Sequence, residues 1–338
     1  MINHNKPTLG ADEIKSAVDV IHSHQLTTGK KVREFEYAII EYMGGGYSVA
    51  VSSGSSALFL ALYGLNAKGK TIGVPVYTCS SLRNAINLIG GKIVYIDNEP
   101  GSVNIDIDIL NKTKPDIAII PHTYGMPADI EKIDSDILVI EDCAQSLGAR
   151  IRGSITGLLG DISILSFYTT KLITSGGQGG MVVSKNKDII DRIRDYREFD
   201  CRRDGKSRLN FHITDLQASI GISQLKKLPS FLEKRQYIWS RYKSEKWDLI
   251  DGRYDPVRFR AILRTKTPKE IINKLSESGI RSIIPIEDWE LLSQDYKSFP
   301  ISYSLSRSTV SIPLYPSLED REINFIISQV NKLVDLKM

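Results

Sequence analysis

Short apolar runs alternate with helical patterns between residues 47 and 184, and this alternation restricts the possible fold more than any other feature of the chain. Most runs are four to six residues long and rich in valine and isoleucine, which is typical of buried strands. With helices between them, such strands predict an α/β domain with a mostly parallel sheet. Ligands of such sheets bind beyond the carboxyl ends of the strands. The runs are residues 47–51, 72–76, 92–97, 116–121, 137–141, 162–167 and 180–184.

The pattern changes after residue 210. It predicts fewer strands and longer helices, which is typical of a smaller α+β domain. Helices are predicted over residues 215–225, 231–246, 268–278 and 319–333, and strands over residues 259–264 and 309–312. We therefore expect a large ligand-binding domain over residues 1–228 and a small C-terminal domain over residues 229–338.

Composition and charge disfavour several classes of protein. A net charge of +4 over 338 residues is small and gives no support for nucleic-acid binding. No apolar run approaches the ~20 residues of a membrane span, and the five histidines show no metal-ligand spacing, so neither a membrane segment nor a metal site is predicted. Three widely spaced cysteines and a polar N-terminus without signal-peptide features favour a cytoplasmic location.

Lys171 is the first candidate for a chemical role. A lone lysine is usually a solvated surface cation, but this one follows the predicted strand 162–167 and precedes a glycine-rich turn at residues 175–180. A partly desolvated lysine has a lowered pKa and can act as a nucleophile and a base. An amine that forms a Schiff base, together with a carboxylate and small-residue turns, is what pyridoxal phosphate (PLP) requires.

Asp142 would supply the carboxylate. Two acidic residues after a strand commonly form a turn or a helix cap, but the functional interpretation places Asp142 against the pyridine nitrogen, where its charge keeps the ring protonated. Gln145 could then contact the ring hydroxyl. Ser166 could reach a phosphate or only satisfy its own strand end. Glu141 receives no role, and Cys143 is expected to pack in the core.

Residues 53–58 read Ser-Gly-Ser-Ser-Ala-Leu and lead from a predicted strand into a helix. Free backbone amides at a helix N-terminus, together with serine hydroxyls, can hold a phosphate. Taken alone, a simple N-cap is the commoner explanation of such a sequence, because serine is a preferred capping residue. The phosphate site therefore stays a hypothesis that depends on the other motifs.

The segment 192–206 interleaves basic and acidic residues. Charges of alternating sign largely cancel, and they are typical of a solvated face. The pattern therefore favours such a face over the alternative, a mobile arm that touches a substrate diphosphate.

In chain order, these stretches resemble the DegT family of PLP-dependent, fold-type-I sugar aminotransferases. Three positions differ from the family pattern: Ser55 replaces a threonine, Cys79 an aromatic residue that stacks on the cofactor ring, and His212 an arginine. The segment 279–313 lacks the family's tyrosine and histidine substrate elements. The resemblance rests on residues 26–29, 35–36, 53–58, 75–78, 94–97, 121–125, 141–148, 166–171, 210 and 217–225.

The resemblance implies a role for each of these candidates. Lys171 would carry PLP as a Schiff base, Asp142 would pair with the ring nitrogen, and Gln145 would contact the ring oxygen. The turn that contains Gly54 and Ser55 would hold the phosphate. The full set of implied cofactor-binding residues is Gly54, Ser55, Cys79, Asp142, Gln145, Ser166, Lys171 and Asn210.

The resemblance also implies an activity and a partner. An amino group would pass from glutamate or glutamine to a keto sugar, nucleotide-linked, in amino-sugar, surface-polysaccharide or secondary-metabolite biosynthesis. The chain would form a homodimer in which Asn210 completes the phosphate site of the neighbouring subunit. Two alternatives are a non-catalytic PLP- or nucleotide-binding regulatory protein and a PLP-dependent sugar dehydratase. Lys171 argues against the dehydratase, because a histidine replaces this lysine in such enzymes.

Overall fold

Helices and strands alternate along the first half of the chain in the computed structural model, which describes residues 1–334. In that range the α-helices are α1 (Ala11–His22), α2 (Lys30–Met43), α3 (Gly54–Gly64), α4 (Ser81–Ile89), α5 (Ile107–Thr113), α6 (Lys187–Arg197), α7 (Asp215–Lys243), α8 (Pro268–Glu277), α9 (Pro300–Ser308) and α10 (Asp320–Val334). The strands are β1 (Tyr47–Val51), β2 (Thr71–Pro75), β3 (Lys92–Ile96), β4 (Ile117–Pro121), β5 (Leu138–Asp142), β6 (Arg150–Ile151), β7 (Ser154–Ile155), β8 (Ile162–Ser166), β9 (Gly180–Ser184), β10 (Ala261–Arg264) and β11 (Thr309–Ile312). None of these helices combines the length and the apolar character that crossing a membrane requires.

Seven strands form the large sheet, in the order β1-β9-β8-β5-β4-β2-β3. Neighbouring strands are parallel except β9, which is antiparallel to both β1 and β8. Every residue of β4 is buried, as expected of a central parallel strand with helices on both faces. The predicted α/β architecture with a mostly parallel sheet is confirmed.

The sheet topology brings several chain segments to one edge. The strand β9 lies between β1 and β8 and is antiparallel to both, so β1 and β8 run in the same direction. The carboxyl ends of β1, β2, β4, β5 and β8 therefore lie on the same side of the sheet. Asp142 and Ser166 end adjacent strands there, and α3 begins just beyond β1.

The C-terminal part has its own two-stranded antiparallel sheet of β10 and β11, against which α8 and α10 pack around a separate apolar core. The prediction of two helices between residues 215 and 246 is wrong, because α7 is a single helix that continues through Pro229. A proline inside a helix costs about 3 kcal/mol or more. Burial of Leu228 and Phe231 in one core, and of Trp239 in the other, offsets this cost. The proposed boundary at residues 228/229 falls inside α7 and stays a prediction.

The charged segment at residues 192–206 is only partly a solvated face. Arg194 and Arg197 both donate to the Glu36 carboxylate at 2.9 Å, and Arg197 is only 4% exposed. A buried pair of this kind requires hydrogen bonds that the sequence does not reveal. Here Arg197 also donates to the Ala50 carbonyl. The expectation of solvation is therefore wrong for Arg197, which ties α6 to β1 and α2.

Candidate active site

A cleft of about 710 Å³ opens at the carboxyl edge of the sheet. It is lined by seven of the eight predicted cofactor-binding residues, although these are spread over more than a hundred positions of the chain, from Gly54 to Lys171. The eighth, Asn210, lies on an exposed segment outside this cleft, and its Oδ1 accepts a hydrogen bond from the His212 amide at 3.0 Å. The seven lining residues are Gly54, Ser55, Cys79, Asp142, Gln145, Ser166 and Lys171.

One end of the cleft is formed by the first turn of α3. The Ser53 hydroxyl caps this helix by accepting from the Ser56 amide at 3.1 Å, while the amides of Gly54 and Ser55 have no acceptor inside the helix. A side chain at residue 54 would place its Cβ 2.9 Å from the Ser166 hydroxyl oxygen. The absence of a Cβ at Gly54 therefore lets the helix N-terminus meet the end of β8, where an anion can be held by amides and hydroxyls together.

The glycine that begins β9, Gly180, lets this strand pack closely against the turn before α3. A Cβ at Gly180 would lie 2.2 Å from the Ser53 carbonyl oxygen, which is far inside the contact distance of the two atoms. The position therefore accepts only glycine without a shift of the turn. This explains why part of the glycine-rich sequence that follows Lys171 packs against the turn at residues 53–54.

Asp142 and Lys171 face each other across a poorly solvated part of the cleft. Burial raises the pKa of Asp142, although the Ala144 amide, which donates to its Oδ1 at 3.0 Å, and the Lys171 charge oppose this. Burial likewise lowers the pKa of Lys171, although the Asp142 charge opposes it. Burial thus shifts each group toward its neutral form, and the lowered pKa of the lysine suits an amine that must act as a nucleophile and a base.

Gln145 is oriented by the chain that lines the opposite wall. Its Oε1 accepts from the Tyr124 amide at 2.8 Å, so its Nε2 is the end available to donate to a ligand. Tyr124 has a left-handed backbone with φ of 58°, and its hydroxyl donates to the Tyr77 hydroxyl at 2.9 Å. This buried tyrosine pair was not predicted from the sequence, because nothing local marks two tyrosines 47 positions apart as neighbours.

Cys79 lies on the loop after β2 and is exposed to the cleft. Its Sγ accepts a hydrogen bond from the Ser81 hydroxyl at 3.3 Å. A thiol offers far less flat apolar surface than an aromatic ring, so this wall of the cleft is open where the family pattern places a stacking residue.

Glu141 has a structural role beneath the cleft. Its carboxylate accepts from the His122 Nε2 at 3.1 Å and from three backbone amides of the loop before β8. Although burial raises its pKa, these hydrogen bonds outweigh burial and leave the pKa of Glu141 lowered. His122, Glu141 and Cys143 bring potential metal-ligand atoms within 4.8 Å of one another, but the His122 Nδ1 already accepts from the Ala128 amide. The hydrogen bonds of His122 and Glu141 therefore join β5 to the loops on either side of it.

Arg260 also lines the cleft and was not predicted. It lies immediately before β10, inside the predicted strand 259–264. The available signal is an arginine beside apolar residues in this strand, since a charged side chain that enters a core needs a partner. An isolated arginine is, however, normally solvated, so the sequence alone does not predict that Arg260 lines the cleft.

The residues at the cleft fit PLP. A phosphate matches the amides and hydroxyls at the α3 terminus, and a protonated pyridine nitrogen would stabilise the ionised form of Asp142 that burial disfavours. Gln145 Nε2 provides a donor for the ring oxygen, and Lys171 provides the amine. The volume of about 710 Å³ leaves room for a substrate beside the cofactor.

Comparisons with known proteins agree with this geometry. The DegT/DnrJ/EryC1/StrS aminotransferase family profile matches residues 7–331. The chain is 28% identical to GDP-perosamine synthase from Escherichia coli O157:H7, over 97% of each protein. It is 33% identical to the UDP-4-amino-4,6-dideoxy-N-acetyl-beta-L-altrosamine transaminase of Campylobacter jejuni strain 81-176, over 72% of this chain and 69% of that protein.

A solved structure shows the same fold. The PLP form of Spr1654 from Streptococcus pneumoniae, a candidate sugar aminotransferase, superposes with a TM-score of 0.86 at 23% identity, over 96% of both chains. The likeness confirms the predicted fold-type-I architecture.

Proposed function

Because the chain belongs to the DegT/DnrJ/EryC1/StrS aminotransferase family, we propose that it is a PLP-dependent transaminase that moves an amino group from an amino acid to a nucleotide-linked keto sugar. The observation that carries the proposal is the half-buried Lys171, whose amine has a lowered pKa and lies near Asp142 in a cleft that ends at a helix N-terminus. The names of the two curated relatives support the sugar class: one makes a GDP-linked and the other a UDP-linked amino sugar.

The binding roles follow from the contacts in the cleft. The amides of Gly54 and Ser55, with the Ser166 hydroxyl, would hold the cofactor phosphate. Gln145 would donate from Nε2 to the ring oxygen, since Tyr124 occupies its Oε1. Cys79 would lie beside the cofactor ring without stacking on it, so the orientation of the ring would depend on contacts at the edge of the ring.

Two protein groups would assist the chemistry that the cofactor supplies. PLP, when bound, supplies an electron sink for the bond that breaks at the amine-bearing carbon. Asp142 keeps the pyridine nitrogen protonated through its negative charge. Lys171 would first hold the cofactor and would then, as a free amine of lowered pKa, take the proton from the amine-bearing carbon of the donor. In the second half of the reaction, Lys171 would return a proton to the sugar carbon that receives the amino group.

The two alternatives are less well supported. A sugar dehydratase would need the histidine that Lys171 replaces. A non-catalytic regulatory protein would have no use for a desolvated lysine opposite a desolvated carboxylate, because keeping both in the cleft costs folding free energy. The curated relatives described above are named as a synthase and a transaminase.

Borohydride reduction tests the proposal most directly. The purified protein with PLP added should show an absorbance band of the lysine-bound cofactor that shifts on reduction, and peptide mapping should place the label on Lys171. Glutamate or glutamine added before reduction should remove the band. A label on another lysine, or no band at all, would reject the assignment of the cleft as a PLP site.

We further propose a homodimer with shared active sites, acting in the cytoplasm, which the cysteine spacing favours. Asn210 is exposed and lies outside the cleft of its own chain, as expected of a residue that serves a neighbouring subunit. Asn210→Ala and Lys171→Ala should each be inactive as homodimers. Mixing and reassociating the two variants should restore activity, because one site of each mixed dimer is intact. A mixture that stays inactive, with mixed dimers shown by mass spectrometry, contradicts shared sites.

A further inference from the structure

Arg260 places a second cation next to Lys171. Its guanidinium carbon lies 5.6 Å from the centre of the Phe259 ring, and the Lys171 Nζ lies 5.6 Å from the same ring centre. Both side chains line the cleft. The guanidinium is also 5.9 Å from the Tyr124 ring, so its surroundings are largely aromatic.

The contacts of Arg260 leave its charge uncompensated. Its Nη1 faces the His4 Nε2 at 3.2 Å and the Ser311 hydroxyl at 3.5 Å, and its buried Nε has no hydrogen-bond partner. His4 brings no negative charge, and burial together with the Arg260 charge lowers the pKa of His4 to about 3. Within residues 1–334 no carboxylate forms an ion pair with Arg260. By contrast, Arg258, two positions earlier, donates to Asp251.

A poorly solvated cation without an anion is costly, and desolvation lowers the pKa of the half-buried Arg260. Proteins keep such a group where a ligand provides the missing charge. An arginine offers several N–H donors in a fixed fork, which matches the two oxygens of a carboxylate. The hydrogen bonds of Arg260 to described side chains use Nη1, and the residue lines the open cleft, so the Nη2 side of this fork is left for a ligand.

We propose that Arg260 binds the α-carboxylate of the amino donor, an inference that rests on the proposed function. Glutamate and glutamine both carry this carboxylate, so the inference holds for either donor. The carboxylate is attached to the same carbon as the amine, and Arg260 shares the Phe259 ring with the Lys171 amine that acts there. The diphosphate of a nucleotide-linked sugar is separated from the reacting carbon by the sugar ring. The cofactor phosphate belongs at the α3 terminus.

The test separates the two halves of the reaction, because a keto sugar has no α-carboxylate. In the holoenzyme, Arg260→Gln should weaken binding of the amino donor about 100-fold. This is measured as the glutamate or glutamine concentration that half-saturates loss of the absorbance band. Calorimetry with α-methylglutamate, which lacks the transferred hydrogen, should show the Kd rising by the same factor. Reaction of the amino form of the holoenzyme with the keto sugar should keep a half-saturating sugar concentration within about twofold of wild type.

Arg258→Gln is the matched control, since it removes a neighbouring arginine that already has an acidic partner. It should leave donor binding unchanged. Arg260→Lys, which keeps the charge but not the fork, should give an intermediate loss. Wild-type holoenzyme should also bind α-methylglutamate far more tightly than its α-amide, a comparison that needs no variant to fold.

Each outcome has one meaning. Unchanged donor binding in Arg260→Gln, equal binding of the acid and the α-amide, or a loss confined to the keto sugar overturns the inference for Arg260 alone. A wild-type protein that forms no lysine-bound cofactor, or that reacts with neither donor, removes the proposed function itself. The wild-type measurement therefore comes first.

Discussion

Lys171→Ala is expected to lower turnover by at least about 10³–10⁴-fold, because it removes the group that moves the proton in both halves of the reaction. The variant should nevertheless fold. Burial lowers the pKa of Lys171, so protonation of this amine is less favourable in the folded chain than in water. Removing the side chain relieves that cost, and the loss of the Asp142 attraction works against it. We expect the melting temperature to change little.

The measurement is formation of the keto acid from glutamate or glutamine in a single turnover, beside a thermal melt. Small amines added to Lys171→Ala should restore part of the rate, and more basic amines should restore more, because proton transfer depends on the basicity of the acceptor. Lys30→Ala is the control, since this side chain is 80% exposed and does not line the cleft. Turnover close to wild type in Lys171→Ala, or rescue that ignores amine basicity, contradicts the role of Lys171 as the base.

The sheet could be predicted from the sequence because its strands are continuous apolar runs. The runs at residues 47–51 and 180–184 match β1 and β9 residue for residue, and the bounds of the others differ from those of the strands by at most one residue at either end. Such strands are buried on both faces, so no partner from elsewhere in the chain changes the pattern. The continuity of α7 through Pro229 could not be read locally, because the packing that offsets the proline comes from two distant cores.

The candidate site could be predicted as far as it follows from strand ends and turns. Asp142, Ser166 and Gly54 lie where a strand ends or a helix begins, and those positions can be read from the sequence. Arg260 belongs to the cleft only because the C-terminal part of the chain packs over the sheet edge, and its missing partner is visible only in three dimensions. Long-range charge contacts of this kind have no local signature.

Asp142→Asn is expected to slow the donor half-reaction by about 10²–10³-fold, because the amide keeps the shape of the carboxylate but loses the charge that holds the ring nitrogen protonated. The Ala144 amide can still donate to the remaining oxygen at this position. The loss should appear in the rate of band disappearance at saturating donor rather than in donor binding. Asp136→Asn is the control, since this carboxylate is exposed and its one ion pair among residues 1–334 is with Lys114 at 4.0 Å. An unchanged rate would reject the pairing of Asp142 with the ring.

The same substitution should not destabilise the cofactor-free chain at neutral pH. Burial raises the pKa of Asp142 in the folded chain, so the stability that this group contributes is present below the pKa of an unfolded aspartate and is lost as pH rises through the raised folded-state pKa. At pH 7 the ionised carboxylate is therefore a cost that asparagine avoids. Urea unfolding should find Asp142→Asn at least as stable as wild type at pH 7. The difference should narrow as pH falls from the raised folded-state pKa to about 4, and below that pH aspartate is protonated in both states. A variant that is less stable at pH 7 would contradict this account. If asparagine is at least as stable, Asp142 is retained for catalysis at the expense of folding free energy.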